Sequence, residues 1–424
     1  MPAGDPIRFN EEYFGYIAGF PNGDIRLLDR AALPLLQRNA PLYEFAPYLL
    51  EKIALPSNFH LNTPPLVWLE LTKRCNLTCP HCYIDGGEPR ANELSTPALL
   101  RIVDDLANMG TWAIAVTGGE PTMHPDFSKI VNHIRDRGML VGIATNGMFI
   151  NEKLLASLPK TGVIVSVSLD NLHFPEHRWA KEFRSVEKAI KLCHEKGFRT
   201  NIMTNSNTRN TRVLEDLIRW ARENRVSVRS VPFSPLGRGK NYPELENKTE
   251  DVNSMAEFWL EECLWEHEYH DEVGLCVGAI FNYGLSLAYM SQRCSSGRYL
   301  CYICSDGTVY PCTMCAGEKV FSPGSVRGMS INELWRSDWE IRNLNWSNFA
   351  DTCASCVVNE PGVYCSGRCP ATSHARHGKF FGCGCSDFEK VSTVVRTVLL
   401  QNTDLGKNDG TPIKFFRKPK NIEL

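Results

Sequence analysis

The chain has 424 residues, with 46 basic side chains against 48 acidic ones and a hydrophobic fraction of 43%. That is enough for two or three domains with full cores. Charge is balanced and no basic block precedes the tail at Lys414–Lys420, so no nucleic-acid or membrane partner is expected. Ile7–Leu28 reads as two or three short strands with a turn at Pro21-Asn22-Gly23-Asp24, and two helices follow at Arg30–Arg38 and Tyr43–Ile53. From Pro64 to about Lys240, β-rich runs alternate with amphipathic stretches. Strands are predicted at Leu66–Leu71, Ala113–Thr117, Leu140–Ala144, Val163–Ser168, Thr200–Met203 and Val228–Val231. Helices are predicted at Ala98–Met109, with Ser95 or Thr96 as N-cap and Pro97 in the first turn, and at Phe127–Arg137, Val186–Lys196 and Thr211–Glu223. Six βα units predict an α/β fold of the barrel class, with a parallel sheet inside, helices outside and the site at the C-terminal strand ends. The uncharged stretch Val273–Met290 contains Asn282 and Tyr283 and reads as a buried helix rather than a membrane span.

Seventeen cysteines are the outlying number, and eleven of them follow Gln292. The N-terminus, MPAGDPIRFNEEYF, has no basic region leading into an apolar run. In a large chain of that kind, clustered thiols point to metal rather than to disulfides, and to a cytoplasmic location.

The most informative residues are Cys75, Cys79 and Cys82, in LTKRCNLTCPHCYIDGG directly after the first barrel strand. The spacing puts three thiolates on one loop, one fewer than a [4Fe–4S] cube takes, so one iron is left open to an outside ligand. Zinc prefers paired C-x2-C halves and four tetrahedral ligands, and the loop has no second pair. Thr117-Gly118-Gly119-Glu120-Pro121 follows the second strand, where bare glycines let the backbone approach a ligand. Ser166-Val167-Ser168-Leu169-Asp170 closes the fourth strand.

Together these segments resemble the radical S-adenosylmethionine (SAM) enzymes, with one departure: His81 stands before the third cysteine, where the family carries an aromatic. The resemblance implies a partial (β/α)6 TIM-type barrel with a cluster on Cys75, Cys79 and Cys82. It implies SAM contacts at Tyr83, Gly118, Gly119 and Glu120 (the methionine ammonium), Ser168 and Asp170 (the ribose) and Arg178 (the methionine carboxylate). It also implies reductive cleavage of SAM to a 5′-deoxyadenosyl radical that takes a hydrogen from the substrate. Ala144–Gly147 and Ser234–Gly239 match segments frequent in such enzymes but read as ordinary turn chemistry, and are given no catalytic role.

The C-terminal cysteines run Cys294-x12-Gly307-x4-Cys312, then Cys353-x2-Cys356-x8-Cys365-x3-Cys369, with Cys383 and Cys385 beyond. This resembles the SPASM domain, departing from it in a longer middle gap, Val357–Tyr364. Seen alone, the quartet would serve zinc equally well. The resemblance implies two auxiliary clusters, making three [4Fe–4S] clusters in all. One would use Cys294, Cys301 or Cys304, Cys312 and Cys369, and the other Cys353, Cys356, Cys365 and Cys383 or Cys385. Cys315 and Cys276 remain as spare thiols, candidate hydrogen donors for an epimerisation. Cys193 reads as plain core.

RFNEEYFGYIAGFPNGDIRLLDRAALPLLQR resembles the small, winged-helix-like RiPP recognition element, where RiPP denotes a ribosomally made and then modified peptide; such a domain takes a leader peptide as an added strand. A plain cap on the barrel is the other reading. The domains expected are 1–62 for recognition, 63–240 for the barrel, 241–290 as a bridging helical region, 291–390 as SPASM and 391–424 as helix end and tail. The implied activity is that of a peptide maturase. It would crosslink, epimerise or excise within a precursor whose leader residues 1–62 bind, with electrons from a ferredoxin or flavodoxin. Alternatives are a small-molecule enzyme, as in tetrapyrrole modification, and a formylglycine-type maturase. Against the last, Tyr310-Pro311-Cys312 is followed by Thr313 where those enzymes carry Asp, and Thr is no base near neutral pH.

Overall fold

The computed structural model describes residues 6–50, 58–172, 183–247, 294–344 and 369–381. Arg178, Cys276, Cys353, Cys356, Cys365, Cys383, Cys385, the stretch Val273–Met290 and the tail 391–424 lie outside the described residues. No helix among the described residues is long and apolar enough to cross a membrane.

The N-terminal strands are three: β1 (Arg8–Glu12), β2 (Gly15–Gly19) and β3 (Ile25–Leu28) form an antiparallel sheet. Its predicted turn closes with Phe20 N donating to Asp24 O at 2.7 Å, with Gly23 at φ +97°. The helices that follow are shorter than the periodicity predicts: α1 covers Leu33–Gln37, and Leu42–Tyr48 is a 3-10 helix. Pro47, which lacks an N–H, sits inside the second. The chain then returns along β3, where Leu50 N donates to Leu27 O at 2.9 Å and Asp29 N to Tyr48 O at 2.8 Å. The outer edge of β3 is thereby covered. Among the described residues, β1 pairs with β2 alone.

Six parallel strands follow in sequential order: β4 (Leu66–Glu70), β5 (Ala113–Thr117), β6 (Leu140–Thr145), β7 (Val163–Ser168), β8 (Arg199–Ser206) and β9 (Ser227–Pro232). Helices α2 (Thr96–Met109), α3 (Phe127–Asp136), α5 (Phe183–Glu195) and α6 (Leu214–Glu223) cover the sheet; a short α4 (Glu152–Ala156), which the sequence reading missed, starts at Asn151, whose side chain accepts from Leu154 N. In α2, Pro97 opens the first turn, Gly110 at φ +95° closes the last, and Leu99, Ile102, Val103 and Leu106 form one buried stripe. That stripe packs in one core with Val67, Leu69, Ile114, Val116, Val141 and Ile143, the alternate residues of the strands. Each such side chain stabilises by about 1.5–3 kcal/mol when fully buried.

The sheet goes further than the six predicted strands. β10 (Leu300–Ile303) lies parallel to β4, and β11 (Thr308–Tyr310) and β12 (Gly324–Ser325) continue antiparallel, giving nine strands in the order β12-β11-β10-β4-β5-β6-β7-β8-β9. The junction is pinned by Glu70, fully buried at the end of β4. It accepts from the Tyr302 hydroxyl, from Ser305 N at 3.1 Å and from Ser305 Oγ at 2.6 Å. Beyond it come α7 (Ile331–Arg336), α8 (Glu340–Asn343) and α9 (Pro370–His377). The buried Arg342 guanidinium lies over both Trp335 and Trp339, at 4.8 and 4.6 Å.

The N-terminal sheet docks on the barrel. Arg8 Nη2 donates to Gly138 O at 2.7 Å, Asn10 Nδ2 to Gly110 O at 3.1 Å, and Trp112 Nε1 to Asn10 Oδ1 at 3.2 Å. Ile17, Ile25 and Leu27 share a core with Leu66, Trp112, Leu140 and Tyr299. Gly110, Trp112 and Gly138 precede β5 and β6, so the small sheet covers the N-terminal ends of the strands.

Candidate active site

The parallel strands all end on the opposite side, and the loops after them carry the residues singled out above. The cysteine loop follows β4 and is closed at its base by Cys75 N donating to Gly87 O (2.7 Å) and Gly87 N to Lys73 O (2.9 Å). The loop after β5 lies flat against it: Gly119 N donates to Thr72 O at 2.9 Å and Glu120 N to Arg74 O at 2.8 Å. A Cβ at Gly118, where φ is +148°, would stand 2.2 Å from Thr72 O; one at Gly119 would stand 2.3 Å from Lys73 O and 2.4 Å from Arg74 O. What these glycines admit is the backbone of the cysteine loop itself.

Glu120 is fully buried. Its Oε1 accepts from Thr145 Oγ1 at 2.7 Å and from Thr122, and its Oε2 from Asn146 N at 2.6 Å. Burial pushes its pKa up, and the Thr122, Asn146 and Thr145 donors pull against that shift. The carboxylate therefore ties the end of β5 to the end of β6. Asn146 Nδ2 in turn donates to Asn76 Oδ1 at 2.8 Å, inside the cysteine loop. Thr145 and Asn146, which the sequence reading left as turn residues, support the site.

Cys79 is buried, Cys75 and Cys82 are half-buried, and all three are free thiols. Leu77 N approaches Cys75 Sγ at 3.4 Å and Gly86 N approaches Cys82 Sγ at 3.3 Å. Burial raises Cys75 to about 11; the Leu77 N–H opposes this, while Glu120 and the two neighbouring thiols add to it. Metal binding there must release protons. Among the described residues, no three His, Cys, Asp or Glu side chains converge on one ion's position. Three neighbouring thiols on one loop, two of them with N–H support, instead fit a cluster in which every thiolate takes a different iron.

Two side chains that the sequence reading missed hold this loop. Glu93 accepts from Lys73 N (2.6 Å), Thr72 Oγ1 (2.8 Å) and Arg90 N (3.1 Å). Arg238, in the loop after β9, donates from Nη1 to Cys79 O at 3.1 Å, from Nη2 to Gly86 O at 2.5 Å and from its backbone N to Cys82 O at 2.9 Å. The only local signal for Arg238 was its place in Ser234–Gly239.

At the end of β7, Asp170 Oδ1 accepts from Asn205 N at 2.9 Å and Oδ2 stands 3.5 Å from His81 Nε2. Both side chains are buried, so His81 joins the cysteine loop to the residue expected at the ribose. Ser168 ends β7 half-buried beside them. Tyr83 connects elsewhere. Its hydroxyl bonds to the Thr313 side chain, and burial, followed by the nearby Cys82 thiol, raises it to about 12. The residue after Cys312 thus meets the radical-site loop.

The C-terminal thiols divide in a way the spacing did not show. Cys294, Cys312, Cys315 and Cys369 lie within electrostatic reach of one another, every pair of the four interacting. Cys312 Sγ and Cys315 Sγ are 3.7 Å apart, and the Cys315 thiol, joined by Ser296 and two backbone N–H groups, lowers Cys312 to about 7. Burial raises Cys369 to about 12. Cys301 is not in the group: it registers with Val67, on the helix-facing side of the sheet, and its charged neighbour is Arg342. Nor is Cys304, which is held by Arg90 and faces Glu70 and Asp306.

Comparison with known proteins identifies two domains in the chain. Residues 69–221 match the family model of the radical SAM superfamily, and residues 294–357 that of SPASM, an iron–sulfur cluster-binding domain. Among curated proteins, the chain is 28% identical over 323 residues to mycofactocin maturase MftC of Mycobacterium ulcerans, covering 73% of this chain and 84% of that one. It is also 28% identical over 338 residues to Fe-coproporphyrin III synthase of Methanosarcina barkeri, covering 71% and 84%. Among solved structures, SuiB of Streptococcus suis bound to S-adenosylmethionine superposes with a TM-score of 0.66 at 16% identity, over 91% of this chain and 99% of SuiB, a likeness of fold.

Proposed function

On the premise that this chain is a radical SAM enzyme with a SPASM domain, we propose that it matures a ribosomally made precursor peptide. The observation that carries the reading is the small sheet at residues 8–28: it is docked on the barrel, and among the described residues no strand pairs with the outer edge of its strand β1, where Glu11 O accepts from Asn62 Nδ2 at 2.8 Å and the rest could take an added peptide strand. The likeness to mycofactocin maturase and the fold shared with SuiB, which has been solved with its precursor peptide SuiA, support it. Because the sheet covers the end of the barrel away from the cysteine loop, a leader held there leaves the core of the peptide to reach around to the site.

Cys75, Cys79 and Cys82 would hold the SAM-binding cluster. SAM and a reduced cluster, when bound, supply a 5′-deoxyadenosyl radical that abstracts hydrogen from substrate. The chain's own residues orient and enclose. Glu93 and Arg238 fix the cysteine loop, Glu120 with Thr145 and Asn146 fixes the loop beside it, and Asp170 with His81 defines the wall toward the ribose. Two auxiliary clusters, a ferredoxin or flavodoxin donor and a cytoplasmic location complete the reading. A small-molecule reaction is the second reading, favoured by the equal identity to Fe-coproporphyrin III synthase. The formylglycine reading is disfavoured because Thr313 is no base and its hydroxyl is engaged by Tyr83.

The test is anaerobic reconstitution followed by incubation with SAM, reductant and either a short peptide encoded beside the gene or an iron porphyrin. Peptide-dependent 5′-deoxyadenosine, lost on changing Cys75, Cys79 and Cys82 together to Ala and on deleting residues 1–62 from a chain that still binds its iron, supports the maturase. Porphyrin-dependent turnover that survives the deletion overturns it.

A further inference from the structure

We propose that Cys315 completes a four-thiolate set with Cys294, Cys312 and Cys369, so that the first auxiliary cluster is fully ligated by protein and keeps no open iron. The inference rests on the SPASM reading and goes past it in naming the fourth ligand and the cluster's role.

The geometry behind it is local. Cys312 is extended and caps a single 3-10 turn, Thr313–Cys315, in which Cys315 N donates to Cys312 O at 3.1 Å. The turn folds Cys315 back onto Cys312, and the two sulfurs stand 3.7 Å apart. Cys369, at the head of α9, and Cys294 close the group from two distant segments. Ser296 serves two of the four at once. Its N–H approaches Cys294 Sγ at 3.4 Å, and its hydroxyl bonds to Cys294 and Cys312. Thr372 serves Cys369 with both backbone and hydroxyl. Hydrogen bonds to sulfur of this kind surround iron–sulfur clusters and set their potentials.

The two other candidates for the fourth position are spoken for. Cys301, fully buried, belongs to the helix-facing core through its register with Val67. Cys304 N donates to Thr308 O at 2.9 Å across the hairpin, and its thiol is bonded to Arg90, which pairs with Asp306 at 2.7 Å. Cys312 and Cys315 are 3.7 Å apart as they stand, a separation suited to one metal centre; moving one thiol to another χ1 well shifts its sulfur by roughly 3 Å, enough for each to take its own iron. A cluster with four thiolates has no iron for the substrate to occupy. Its work is then to accept or pass an electron, and Cys315 is no hydrogen donor.

The experiment uses the full-length chain with Cys75, Cys79 and Cys82 changed to Ala, so that only auxiliary clusters remain, reconstituted anaerobically. Iron and sulfide per chain and the electron paramagnetic resonance of the reduced protein are then compared among Cys315→Ala, Cys315→Ser, Cys301→Ala and Cys304→Ala. We expect Cys315→Ala to lose about four irons or to show a new signal from a cluster with an open site. Cys315→Ser, which keeps shape and an oxygen ligand, should retain iron with a shifted signal, and Cys301→Ala and Cys304→Ala should match the parent. A parent-like count and spectrum for both Cys315 variants, or iron loss in Cys301→Ala or Cys304→Ala instead, overturns the assignment while leaving the SPASM reading intact. Zinc in place of iron in the parent overturns both.

Discussion

Arg238→Ala tests how the cysteine loop is held. The guanidinium donates to two carbonyls of that loop, Cys79 O at 3.1 Å and Gly86 O at 2.5 Å, and pairs with Asp85 at 2.8 Å. Its side chain is 17% exposed, so the carbonyl bonds are shielded from water, whereas the Asp85 carboxylate is 55% exposed and its pair adds little. Taking about 1.5 kcal/mol for each charged hydrogen bond gives about 3 kcal/mol for the two. At 1.4 kcal/mol per tenfold, that is roughly a hundredfold shift in the loop's opening equilibrium. The backbone bond from Arg238 N to Cys82 O survives the substitution, so the loop is loosened rather than released. Hydrogen exchange of the metal-free chain should show protection across Cys75–Gly87 falling about a hundredfold while β5 and β6 keep theirs. Arg238→Lys should fall between, having one point charge in place of a fork. Unchanged protection in Cys75–Gly87, or an equal loss throughout the sheet, would refute the reasoning.

Gly119→Ala should cost SAM affinity and loop-bound iron by more than tenfold, because its Cβ would press on the Lys73 and Arg74 carbonyls at 2.3 and 2.4 Å; titration of SAM and iron analysis check this, and parent-like values would show that the loop yields. Tyr302→Phe removes the hydroxyl that donates to the buried Glu70 and should destabilise by about 1–3 kcal/mol, read as a lower thermal midpoint; an unchanged midpoint would mean that water replaces it. Glu12, buried where Asn62 N donates to it at 2.9 Å, is raised to about 8 from its ordinary 4.5, mainly by burial. Between those values the folded chain holds a proton that the unfolded chain has lost. The Glu12 contribution to stability should therefore be fully present below pH 4.5 and be lost as pH rises to about 8, by at most about 1.4 kcal/mol per unit. Glu12→Gln should flatten that slope and raise the midpoint at pH 8, and an identical pH profile would count against the assignment.

Two kinds of information were available in the sequence alone. Local pattern was one: β5 and β7 run over the residues predicted, because a short run buried throughout (β5) and a period-two run (β7) both record how a strand meets the core. Short ligand spacing was the other, since three cysteines on one loop cannot end up far apart however the rest folds. What needed the tertiary structure was convergence from distant segments. Arg238 lies more than 150 residues from the carbonyls it holds, and a lone arginine in a turn carries no local mark of its partners. Strand β10 meets the barrel edge where the Glu70 carboxyl accepts from Tyr302 and Ser305, a match visible only once both are folded. The proposed place of Cys315, rather than Cys301 or Cys304, as cluster ligand rests on which way each side chain points from its backbone. Spacing counts residues along the chain, whereas strand pleat and 3-10 twist decide the side on which each thiol emerges, and the fold sets those.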